Sequence, residues 1–90
     1  MSEADEMLLD FGYIDTKANY HEDTGVVAVF KKTFHHKKID LKIKITLTFM
    51  KDCYAINKFI SGSLDPEVVF IDYDLHLAIH EKLKELGLIS

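Results

Sequence analysis

The sequence predicts an α+β domain of two layers, an antiparallel β-meander of three to five strands with an N-terminal and a C-terminal helix packed on one face. Three observations predict it. Residues 39–49 alternate strictly between apolar and polar side chains, the period of a strand with one buried and one wet face. The two ends instead carry apolar residues at helical spacing: Ala4, Met7, Leu8 and Phe11 at one, Leu75, Ala78, Ile79, Leu83 and Leu86 at the other. The segments between are short and joined by turn residues, so successive strands lie side by side and leave one face for the helices to cover.

The elements follow in order. Ser2 caps the first helix, with Asp5 three residues on, and Glu3, Asp5 and Glu6 complement the positive end of its dipole. Gly12 stops it. Tyr13 to Tyr20 reads as a first strand, and Glu22-Asp23-Thr24-Gly25 as the turn after it. Val26 to Phe34 is a second strand, rich in valine and phenylalanine. After the polar break at residues 35–38 comes the alternating strand, whose odd residues from Ile39 to Phe49 are expected to face the helices. Lys51-Asp52 turns the chain into a fourth strand, Cys53 to Ile60, and the loop at residues 61–66 holds the only proline. Glu67 to Ile71 is either a short strand or an extended approach to a helix that Asp72 caps and Gly87 ends.

Ninety residues make a single domain, 1–90. With 48% hydrophobic and 29% charged residues the chain is neither disordered nor built for a bilayer. No apolar run approaches the ~18 residues of a membrane span, and the acidic first residues do not resemble a signal peptide. The single cysteine, Cys53, cannot form an internal disulfide and suits a reducing compartment, so a cytoplasmic location is expected. The net charge of −4 hides a pattern. Residues 1–30 hold seven acids and one lysine, residues 31–58 eight lysines and two acids, and residues 59–90 six acids and two lysines. Folding an acid–base–acid chain into one domain polarises its surface.

Catalysis finds little support. His76 and His80 stand at i, i+4 on the last helix, a spacing that can grip a metal, but Leu77 occupies the place of a metalloprotease glutamate, and Glu81 points about 100° away from His80. They read as surface histidines. Cys53 has no accompanying base signature and reads as a half-buried strand cysteine. Asp72 and Asp74 are helix-start acids. The four glycines are isolated, so no phosphate-binding loop exists. The expectation is a protein that is not an enzyme, with no cofactor and no metal.

The most distinctive patch is basic: Lys31, Lys32, His35, His36, Lys37, Lys38, Lys42 and Lys44. It reads as a docking surface for an acidic partner, or as lysines that keep a sheet edge soluble. The alternative function is a small nucleic-acid-binding regulator using the hairpin at residues 31–44. The chain has no arginine, the residue preferred for bidentate readout of phosphate and guanine. The solvent face of the long strand offers lysine and threonine where a single-strand platform would stack aromatic rings. Nucleic acid is therefore disfavoured as the partner.

Ala4-Asp5-Glu6-Met7 followed by Phe11-Gly12-Tyr13 resembles the opening of small proteins encoded by phages and prophages of low-GC Gram-positive bacteria. Residues 78–87, Ala-Ile-His-Glu-Lys-Leu-Lys-Glu-Leu-Gly, are similar to their closing helix. The resemblance implies a run of strands between two helices and a setting in the cytoplasm of a bacterial host. It implies a non-catalytic accessory protein that binds a host protein, such as an inhibitor of a CRISPR nuclease or another defence system. Either a monomer or a homodimer is compatible with the sequence.

Overall fold

The computed structural model describes residues 2–17, 25–36, 41–62 and 68–89, with His36 by its backbone alone. The order is α1 (Glu3–Asp10), β1 (Ile14–Asp15), β2 (Val26–His36), β3 (Leu41–Met50), β4 (Tyr54–Ile60) and α2 (Tyr73–Glu85). The four strands form one antiparallel sheet in the order β1-β2-β3-β4, a meander.

The alternating pattern decides which face meets the helices. Phe30 lies opposite Leu47, and Leu47 opposite Ile56, so the even residues of β2 and β4 share a face with the odd residues of β3. Phe30, Leu47 and Phe49 are fully buried there. The rings of Phe30 and Phe49 meet edge to face, with centroids 5.9 Å apart. Leu8 from α1 and Leu75, Ala78 and Ile79 from α2 close this core.

Both helices begin as their sequences require. The Ser2 hydroxyl accepts from the Asp5 amide, and the Asp72 carboxylate from the Leu75 amide at 2.8 Å. Replacing Asp72 with alanine orphans that amide and should cost about 1 kcal/mol, read as a shifted urea midpoint with unchanged slope. Gly12 takes φ +90° as the chain leaves α1, and the stem of Lys32 passes 3.4 Å from where a β carbon would stand. The helices lie antiparallel, since Asp5 meets Lys82 at 2.7 Å and Ser2 meets Glu85.

Two expectations change, and one left between two readings is decided. The first strand shrinks to Ile14–Asp15. Lys17 adopts φ 52° while its amide donates to the Asp15 carboxylate, a local turn that ends pairing; residues 18–20 lie outside the described set. Of the two readings of residues 67–71 the strand is not formed: Val68 to Ile71 leads into α2 without pairing, as the other reading had it. Cys53 is exposed in the turn before β4 rather than half-buried within it. Its carbonyl accepts from the Met50 amide, which closes the hairpin.

The sheet outruns its cover. Eleven residues of β2 reach about 36 Å, whereas the thirteen of α2 reach about 20 Å. The molecule measures 43 × 29 × 21 Å with a radius of gyration of 13.8 Å, above the ~12 Å of a compact chain this long. Of the alternating residues, Ile45, Leu47 and Phe49 are buried, but Leu41 and Ile43 are only half-buried because they lie beyond the helices. Ile39 is outside the described residues.

Candidate docking surface at the end of the sheet

The overhanging end of the sheet gathers part of the basic set. Lys31 and His35 on β2 and Lys42 and Lys44 on β3 are exposed. Their register, Lys31 opposite Thr46 and His35 opposite Lys42, places all four on the face away from the helices. Lys32 departs from them. Its parity puts it on the core face, half-buried, with its ammonium 5.8 Å from the ring centroids of both Tyr13 and Phe34. Its stem fills space beside Gly12, so it serves packing more than docking. The backbone of His36 extends β2 opposite Leu41, and Lys37 and Lys38 lie outside the described residues.

At this end of the sheet lies a groove of about 650 Å³ whose lining draws on both faces. Phe34, Ile43 and Ile60 belong to the helix-side face, and His35, Lys42, Lys44 and Phe59 to the face away from it. Among the described residues no carboxylate lines it. Phe59 is 51% exposed and lies directly opposite Lys44. The Ser61 hydroxyl accepts from the Lys42 amide at 3.1 Å, which ties the end of β4 to the start of β3.

The approach to α2 adds to this end. Leu83 and Leu88, at the far end of α2, line a cleft with Asp52 and Tyr54. The N-terminus of the helix therefore points toward the overhang, carrying Phe70, 91% exposed, and Tyr73. Large exposed apolar residues gathered at one end of a small domain mark an interaction surface.

The other candidates stay apart. His76 and His80 are exposed on α2, and among the described residues no group of three His, Cys, Asp or Glu side chains could hold a metal. Asp72 is occupied as a helix cap. Among the described residues no helix is long and apolar enough to cross a membrane.

Sequence reasoning missed three groups. Phe34, Phe59 and Ile60 became visible as site residues only once the helices proved shorter than the strands. The parity of Lys32 with Phe30 was a usable signal for its inward position. Lys82, to which the sequence reading gave no role, is buried between the helices with its ammonium 5.4 Å from the Phe30 ring centroid. No protein-family model matches the chain, and neither a curated protein nor a solved structure is significantly similar to it.

Proposed function

We propose that the chain is a non-catalytic binding module that docks a protein partner through the overhanging end of its sheet. The overhang carries this reading: apolar side chains left uncovered on its helix-side face, three basic groups and the Phe59 ring on the other, and no carboxylate among the described lining. A partner that fits wraps the end of the sheet, with apolar side chains toward one face and aspartate or glutamate toward the other. The resemblance of the two ends to phage and prophage accessory proteins supports a host protein as that partner, and a defence nuclease is the first to test. The competing partner is nucleic acid, for which Phe59 beside Lys44 offers one stacking ring. One ring and no arginine favour protein.

The test reverses charge where the fold does not depend on it. Lys42→Glu with Lys44→Glu alters two exposed side chains, so the melting temperature should hold. Capture of the partner from bacterial lysate should fall more than about tenfold, the loss expected when like charges are set against each other. A mobility shift with random duplex and single-stranded oligonucleotides supplies the contrary outcome. Binding tighter than the weak non-specific range of about 10⁻⁴–10⁻⁶ M near physiological salt would replace the protein partner with nucleic acid.

A further inference from the structure

The hydrogen-bonding parity of β4 determines what its outer edge offers. The Met50 amide donates to the Cys53 carbonyl and the Ser61 amide to the Lys42 carbonyl. These two pairs share the β3–β4 register, so the odd residues of β4 turn their backbone groups toward β3. The even residues Tyr54, Ile56, Lys58 and Ile60 turn theirs outward. Among the described residues no strand pairs with that row. The edge is seven residues long and has neither proline nor bulge, and Lys58, on the helix-side face, is its one guarding charge. The opposite edge differs: β1 takes Phe30 and Lys31, and the Thr16 amide donates to Val29.

We propose that β4 pairs with β4 of a second copy of this chain, antiparallel about a two-fold axis through Asn57, to make a continuous eight-stranded sheet. The strand is complementary to itself in that register and poorly so in its neighbours. Centring on Asn57 sets Ile56 opposite Lys58 of the other copy and Tyr54 opposite Ile60, so every facing pair on the outward row is even with even and all its backbone groups bond. On the outer face the exposed ring of Phe59 lies over the small Ala55 of the other copy, and the two Asn57 amides meet on the axis. Shifting the centre to Lys58 would set lysine against lysine. Shifting it to Ile56 would leave the outward groups of Ile60 unpaired. The two-fold axis uses the same edge of both copies, so this pairing closes as a dimer.

The register is testable by cross-linking. Facing residues of a non-hydrogen-bonded antiparallel pair lie about 4.5 Å apart at Cα, within the about 4.4–6.8 Å that a disulfide spans. In a Cys53→Ser background, Asn57→Cys should oxidise to a covalent dimer at least about tenfold faster than Ala55→Cys, whose own counterpart lies far beyond that span. Sedimentation equilibrium of the unaltered chain from about 1 μM to about 500 μM should pass from one chain mass to two. Lys58→Pro removes an outward amide that the monomer does not use; it should hold the chain at a single mass with unchanged circular dichroism. One chain mass at the highest concentration, or cross-linking of Ala55→Cys as fast as Asn57→Cys, overturns the proposal. Should Lys58→Pro unfold the chain, the two cysteine variants decide the matter alone.

Discussion

Phe49→Ala is expected to cost about 3–5 kcal/mol, enough to leave a small domain of ~5–15 kcal/mol largely unfolded at modest urea. The ring has no exposed surface. It meets Phe30 edge to face and stacks at a tilt on Tyr54, 6.3 Å between centroids. Truncation therefore removes contacts on two sides and leaves a cavity that backbone pairing on both flanks keeps from collapsing. Ile43→Ala, one layer beyond the helices on the same strand, should cost clearly less. Equal midpoint shifts for the two variants in urea titrations followed by circular dichroism would mean that the overhang is packed as tightly as the core.

The second large effect is electrostatic. Lys82 is 6% exposed, and its ammonium is held by Asp5 at 2.7 Å and Glu85 at 3.3 Å. Burial alone lowers the pKa of this group. The hydrogen bond and charge of Asp5, with those of Glu85, outweigh burial and hold it above the usual lysine value. Asp5→Ala leaves the cation buried with only its weaker partner. The expected cost lies between the about 1–3 kcal/mol of an orphaned polar group and the about 3–5 kcal/mol of a broken buried pair. Lys82→Met removes the buried charge and leaves Asp5 and Glu85 without their cation, but both carboxylates reach solvent, so it should cost less than Asp5→Ala. Adding it to Asp5→Ala should then restore part of the loss, whereas simple additivity of the two would deny the coupling.

The sign of the pH dependence follows from the raised pKa. The contribution of the pair is fully present below the unfolded lysine value of about 10.4 and is lost as pH rises through the higher folded value. Melting temperature should fall more steeply above that point in the unaltered chain than in Lys82→Met.

The sequence made some parts of this structure legible and hid others for identifiable reasons. The alternation from Leu41 to Phe49 and the caps at Ser2 and Asp72 are local signals, and all three appear as expected. The stub β1 could not be foreseen, because Lys17 at positive φ breaks the strand without a glycine to announce it. Lys82 lies seven residues after Leu75, on the apolar stripe itself, but its charge argued for solvent. Only the arrival of Asp5 from the other end of the chain makes its burial affordable. The groove was hidden for a global reason. Lys42 and Lys44 are plain in the sequence, but the apolar half of the site exists because two helices stop short of the sheet, and no window of residues records that difference in length.

The pairing of the two helices also bears on how the chain is assembled during synthesis. Ser2 bonds Glu85 across 83 positions, and Asp5 bonds Lys82 across 77. The strands, by contrast, join near neighbours in sequence and can associate early. Until α2 has left the ribosome, α1 has only the sheet to lie against, and much of the face that holds Phe30, Leu47 and Phe49 meets water. A nascent chain that stalls before residue 73 would present that oily face, together with the open edge of β4, to every other nascent copy nearby. Its hazard in the cell is therefore greatest between the synthesis of β4 and that of α2, when a chaperone has the most to shield.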